Sequence, residues 1–187
     1  MTPSILVTLL LVTGPYSLSI GELKDQVISK SQAHYAAAGF KLQPTKTIYK
    51  IRDRYAQLET ISESRRKFNL YRSFLRRVGY GAKNRVHAVL PPMLEPNGLR
   101  YIGGYGEEGC NSGGFSLSNG QPLRSNGGEG YTMSAIAISH EVGHTLGLSH
   151  IDSFPNIMHS AALQFAGQPI GFTQRSVRDM KRCLNKK

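Results

Sequence analysis

The hydrophobic pattern changes period repeatedly along the first half of the chain. Ser4 to Gly14, SILVTLLLVTG, is an almost continuous apolar run, the pattern of a strand buried on both faces of a mostly parallel sheet. The same run is long enough for the core of a signal peptide covering residues 1–19, with Ser17 and Ser19 as small residues before a cleavage point; no Lys or Arg precedes it, and it is too short to span a bilayer as a helix. Thr13, Gly14 and Pro15 read as a turn leading straight into a helix, which favours the strand.

Ser19 and Glu22 stand at capping-box spacing, and Leu23, Val27, Ile28, Tyr35 and Ala38 then fall on one helical face that ends at Gly39, a C-cap position. Ile48, Tyr49 and Ile51 suggest a strand, and Pro44 places its start at a sheet edge. Thr60 and Glu63 repeat the capping-box pattern, and Phe68, Tyr71, Leu75 and Val78 recur at helical spacing before Gly79. Val86, Ala88 and Leu90 alternate as a short strand closed by Pro91 and Pro92; Tyr101–Ile102 and Phe115–Leu117 suggest two more. Ten of the chain's 20 glycines lie between Gly103 and Gly130, a density that predicts loops and short edge strands. Beyond them, Thr132 is a candidate N-cap for a helix carrying Ile136, Ile138, Val142 and Leu146. Thr173 caps a last helix, with Phe172 and Val177 at staple positions and Met180 and Leu184 continuing its apolar face.

A length of 187 residues suits one well-buried core, so a single domain spanning 1–187 is expected. The net charge of +11 favours anionic partners. Much of the excess sits on the second helix, where Arg65, Arg66, Lys67, Arg72, Arg76 and Arg77 interleave with the apolar face; this reads as a solvated amphipathic helix, and no nucleic-acid motif accompanies it. Two cysteines, Cys110 and Cys183, allow one bridge or two free buried thiols and exclude a disulfide-dense scaffold.

The chemistry concentrates in HEVGHTLGLSH, His140 to His150. Residues four apart share a helical face, so His140 and His144 can aim two imidazoles at one point. Zinc takes histidine nitrogens at about 2.0–2.1 Å in a tetrahedral shell, and a third protein ligand leaves one position open. His150 is that third candidate; it reaches the metal only if the chain turns sharply, for which Gly147 supplies the residue type. Glu141, beside His140, can take a proton from water whose pKa zinc lowers and pass it to a leaving amine. These are the parts of metal-assisted amide hydrolysis. His34, His87 and His159 read as core or surface histidines.

At these residues the sequence resembles the metzincin metallopeptidases, whose signature is H-E-x-x-H-x-x-G-x-x-H followed by a methionine turn. PNIMHS places Met158 eight residues after His150, in the position of the methionine floor. The resemblance implies an α/β (α+β) fold: a mixed, twisted five-stranded sheet with an antiparallel edge strand, two long helices including the zinc helix, and a small C-terminal subdomain ending in a helix. The upper subdomain would cover about 1–147 and the lower about 148–187. YIGG before Cys110 and the ending RCLNKK resemble the adamalysin or reprolysin branch, which implies a Cys110–Cys183 disulfide and an oxidising compartment; LGLSH, with Ile151 after the third histidine, resembles the matrixin branch as much.

The resemblance further implies a secreted, monomeric zinc metalloendopeptidase with one catalytic zinc on His140, His144 and His150 and Glu141 as general base. A protein or peptide substrate, acidic if the net charge selects it, would lie as an added strand on an edge strand around Gly113, Gly114, Phe115, Ser116 and Leu117. Ala162, Leu163, Phe165 and Ile170 would line the pocket beyond the scissile bond or, equally, belong to the core of the lower subdomain. No nucleic-acid partner and no transmembrane segment are expected, and calcium is open because no EF-hand-type loop appears. A basic extracellular binding module with a structural zinc is the alternative.

Overall fold

A computed structural model describes residues 2–14, 17–53, 61–78, 85–91, 104–110, 114–119, 128–165 and 167–186. β1 (Ser4–Thr13) is the apolar amino-terminal run, and it lies inside the sheet, paired in parallel with β2 (Lys41–Arg52) on one side and β3 (Arg85–Leu90) on the other. Its alternate residues face opposite ways: Ile5, Val7, Leu9 and Leu11 enter one core cluster, Leu10 and Val12 the other. Burial on both faces explains the absence of polar alternation.

The sheet has the order β2-β1-β3-β5-β4, with β5 (Phe115–Asn119) parallel to β3, and β4 (Gly104–Gly106) antiparallel to β5. The mixed five-stranded sheet with an antiparallel edge is the expected architecture, but the edge is a different segment. β5 is hydrogen-bonded on both sides, and Phe115, Ser116 and Leu117 are buried; among the described residues the edge is β4. Gly113 and the Tyr101–Ile102 strand lie outside the described residues. β2 is the opposite edge, as Pro44 suggested.

On one face lie α1 and α3. α1 is a continuous helical rod formed by an opening turn Ile20–Glu22, a π-helical segment Leu23–Ile28 and an α-helix Ser29–Ala37. Ser19 and Glu22 close the capping box at its start, and Gly39 ends it with φ +80°. α3 (Gly128–His144) starts four residues before Thr132, which is therefore an interior residue and not the N-cap. Gly130 is buried there, and tertiary packing overrides the roughly 1 kcal/mol helix cost of glycine. α2 (Ile61–Arg77) covers the other face with Phe68, Tyr71 and Leu75; Thr60 and Gly79 lie outside the described residues. Not all of its cations are solvated: Lys67 is buried and bonds Asp53 at 2.5 Å, and the Tyr71 hydroxyl donates to the same carboxylate at 3.0 Å.

The chain beyond α3 forms a small layer around a 3-10 turn (Ala162–Phe165) and α4 (Gln174–Asn185). Thr173 caps α4 by accepting from Ser176 N, and the Phe172 ring packs on Tyr35 with centroids 4.9 Å apart. Cys110 and Cys183 are joined in a disulfide. No helix among the described residues is long and apolar enough to cross a membrane.

Candidate metal centre

α3 delivers His140 and His144 from its last turn on one face, as the four-residue spacing requires. The helix then stops in a Schellman arrangement: Leu148 N donates to Gly143 O at 3.2 Å and Gly147 N to His144 O at 2.9 Å. Gly147 carries φ +80°, a conformation costly for any residue with a Cβ. This turn brings His150 back beside the helix. One ring nitrogen from each of His140, His144 and His150 lies within 4.8 Å of the others, and His140 Nε2 stands 3.1 Å from both His144 Nε2 and His150 Nε2.

The other ring nitrogens decide what this cluster is. His140 Nδ1 donates to the Ile157 carbonyl at 2.6 Å, and His144 Nδ1 to the Leu148 carbonyl at 2.7 Å. A carbonyl only accepts, so both protons sit on Nδ1 and both Nε2 atoms turn bare lone pairs towards each other. Charging the rings is opposed: burial, then the neighbouring His144, holds His140 down to about 3, and burial lowers His144 as well. Two neutral imidazoles with facing lone pairs repel unless a cation lies between them. Nitrogens about 2.0 Å from a tetrahedral zinc would be separated by about 3.3 Å, close to the spacing found. The donor set fits zinc, with both Nδ1–H groups supplying the outer hydrogen bonds that fix such ligands.

Met158 is fully buried and packs directly on the metal helix: a methyl group on Gly143 would fall 2.6 Å from its Sδ. The turn holding it is closed by Asn156, whose Oδ1 accepts from Met158 N at 2.8 Å, and by Ile151 N donating to Met158 O at 3.0 Å. Because Ile157 O orients His140, the methionine turn is both floor and outer support. Asn156, Ile157 and Gly143 are additions to the sequence-derived set. An Asn two residues before the methionine was a readable turn signal; a carbonyl carries no side-chain signature.

Glu141 is buried, and burial pushes its carboxyl group well above the usual carboxylate range. It lies against Gly104 and Gly106 of β4. Of the expected peptide-edge residues, Gly114 instead packs on the end of the metal helix: a methyl there would meet Thr145 Cβ at 2.7 Å. Ala162 is buried and Ile170 packs against the core cluster; the Phe165 side chain is outside the described residues. His34 bonds the Ser139 hydroxyl, while His87 is buried between the Ser116 and Ser118 hydroxyls at 2.8 and 2.9 Å. Neither belongs to the metal cluster.

No family model and no curated protein sequence matches the chain. Solved structures do. Metalloproteinase-II from Bacteroides fragilis superposes with a TM-score of 0.67 at 16% identity over 99% of this chain, which spans 54% of that one. Archaemetzincin from Methanopyrus kandleri gives a TM-score of 0.63 at 18% identity, over 97% of this chain and 96% of its own. OgpA from Akkermansia muciniphila gives 0.59 at 12% identity, over 95% and 60%. The mixed five-stranded sheet and the four helices of the described residues are thus a fold shared with structures named a metalloproteinase and an archaemetzincin.

Proposed function

We propose that the protein is a zinc-dependent metalloendopeptidase. The observation that carries this is the meeting of two neutral, Nδ1-anchored imidazoles and His150 at one point, one residue along the helix from a buried glutamate. That solved structures with this fold are named an archaemetzincin and, from Methanocorpusculum labreanum, a zinc-dependent peptidase supports it.

His140, His144 and His150 would hold the ion, and zinc bound there supplies a Lewis acid for the scissile carbonyl and lowers the pKa of water. Glu141 takes the proton from the attacking water and returns it to the leaving amine. Its burial favours the neutral form and so makes the carboxylate a stronger base, which a nearby cation moderates. A peptide would lie along β4 as an added strand, because β4 and not β5 is the edge on this side of the sheet. Secretion, a monomeric state and a preference for acidic peptides complete this reading; the disulfide and the +11 charge support the first and last. A structural zinc in a basic binding module fits less well: structural sites are closed by four protein ligands, and the described residues provide a cluster of three.

The test is zinc content together with cleavage of a mixed peptide library, with and without chelator, on wild type and Glu141→Gln. One zinc per chain in both proteins is expected, with chelator-sensitive cleavage that falls by about 10²–10⁴-fold in the variant. Full activity in zinc-loaded Glu141→Gln would remove the glutamate from the mechanism, and zinc without cleavage by wild type would favour the binding module.

A further inference from the structure

β4 reads Gly-Tyr-Gly, and its three residues face alternately. The Tyr105 ring turns to the α2 side of the sheet and meets Phe68 edge-on at 5.9 Å. The two glycines turn to the α3 side, where the strand backbone lies directly on the metal helix. A methyl group on Gly104 would stand 2.6 Å from Cγ and from Oε1 of Glu141, and 2.6 Å from the Leu117 carbonyl oxygen. One on Gly106 would stand 2.7 Å from the Glu141 carbonyl, 2.8 Å from His144 Cβ and 3.2 Å from Glu141 Oε2. Glu141 Oε1 therefore occupies the place where a side chain at position 104 of an ordinary strand would be, and Oε2 crowds the place at position 106. Neither glycine has a positive φ; space, and not backbone conformation, demands them.

We propose that Gly104 is a positioning residue for Glu141, its missing side chain being the recess in which the general-base carboxylate is held. This rests on the catalytic reading above and adds a division of labour between the two glycines. The atoms nearest to a methyl on Gly104 are Cγ and Oε1 of Glu141 and the Leu117 carbonyl oxygen, so Gly104 sets the base. A methyl on Gly106 would meet the Glu141 carbonyl and His144 Cβ more closely than Glu141 Oε2, so Gly106 chiefly sets the distance between strand and metal centre. The geometry also explains a strand of only three residues so poor in β-formers: close approach to α3 outweighs its weak intrinsic propensity.

The experiment uses full-length wild type, Gly104→Ala, Glu141→Gln, the double variant Gly104→Ala/Glu141→Gln, and Gly106→Ala. Zinc affinity is measured by competition with a chromophoric chelator, and kcat and KM on the peptide wild type cleaves best. Gly104→Ala is expected to keep zinc affinity within about twofold and to lose about 10–100-fold in kcat with little change in KM, the effect of displacing a catalytic group by about 1 Å. The double variant should be no slower than Glu141→Gln, since the recess then holds no base. Gly106→Ala should weaken zinc by about tenfold or more, as its methyl meets His144. An unchanged kcat in Gly104→Ala, a zinc loss as large as its rate loss, or a double variant well below Glu141→Gln would overturn the assignment.

Stability reads the same contact without activity. Thermal midpoints of Gly104→Ala are compared in the Glu141 and Glu141→Asp backgrounds, because Asp withdraws the carboxylate by one methylene. The methyl should cost less beside Asp, and a Gly104→Ala chain that does not fold should be recovered by Glu141→Asp. Equal cost in both backgrounds, or no recovery, would assign Gly104 to packing on Leu117 alone. Should wild type bind zinc and cleave nothing, the catalytic reading fails while this cycle still decides the recess.

Discussion

At the level of single residues, the metal centre depends on positions that carry no metal-binding chemistry. Gly143 is one. Its Cα faces Met158 so closely that Gly143→Ala must displace a buried thioether whose neighbour's carbonyl orients His140. We expect a loss of about 1–3 kcal/mol in urea unfolding of the metal-free protein, together with weaker zinc binding by chelator competition. An unchanged zinc affinity would mean that Met158 and the Ile157 carbonyl move independently. The motif's own residues were legible because their spacing encodes helix geometry: His140 and His144 one turn apart, and Gly147 at the reversal. The carbonyls of Ile157 and Leu148 were not, because any residue type can donate them.

His87 shows the other limit of residue-scale reading, and its titration can be followed. Burial between Ser116 and Ser118 holds it down to about 3, against about 6.5 in an unfolded chain. The folded state therefore keeps the ring neutral where the unfolded state protonates it. Its contribution is complete above pH 6.5 and is lost as pH falls from 6.5 towards 3, at up to about 1.4 kcal/mol per unit. In metal-free protein, urea unfolding at pH 7 and pH 5 should show a steeper loss for wild type than for His87→Gln. Equal slopes would mean that His87 is not protonated on unfolding in this range.

At the level of elements, periodicity revealed what was buried and missed what was paired. The apolar run of β1 and the faces of α1, α2 and α4 were readable because hydrophobic burial is periodic along each element. The choice of edge strand was not: Phe115 to Asn119 has better strand residues than Gly104–Gly106, yet the poorer segment is outermost, since only bare backbone fits against α3. Thr132 failed as a cap for a related reason, a glycine-bearing first turn being carried by burial. The basic helix hid a further element-scale feature, the pairing of Lys67 with Asp53 across from β2, with Tyr71 on the same carboxylate. Both partners have little exposure, with side-chain values of 5% and 14%, so removing the Asp53 charge leaves the buried Lys67 ammonium without that carboxylate. Asp53→Asn is expected to destabilise by about 3–5 kcal/mol in chemical denaturation, while Lys67→Met with Asp53→Leu should recover much of the loss. A loss below about 1 kcal/mol would place the pair in the weak class of surface ion pairs.

At the level of the molecule, one covalent link crosses the metal region. Cys110 follows the edge strand and Cys183 lies in the last turn of α4, so the bridge closes a loop of 73 residues that contains β5, α3, the methionine turn and most of α4. Every ligand-bearing segment is inside that loop. Cys110 also sits on the turn that redirects the chain to His150, since a methyl on Gly147 would lie 3.6 Å from its Cβ. Cross-linking a loop of this length removes chain entropy from the unfolded state equivalent to about 4 kcal/mol. The Cys110→Ser/Cys183→Ser variant should lose about that much in urea unfolding, provided both proteins are compared metal-free. A second effect separates tethering from mere stabilisation: with His150 less firmly placed, zinc affinity of the folded variant should also fall. Thermal melting with and without zinc distinguishes the two, because binding to the native state alone raises stability by RT ln(1 + [L]/Kd). If the zinc-induced increase is the same in both proteins, the bridge restrains only the unfolded chain; if it shrinks in the variant, the bridge also holds the third ligand in place.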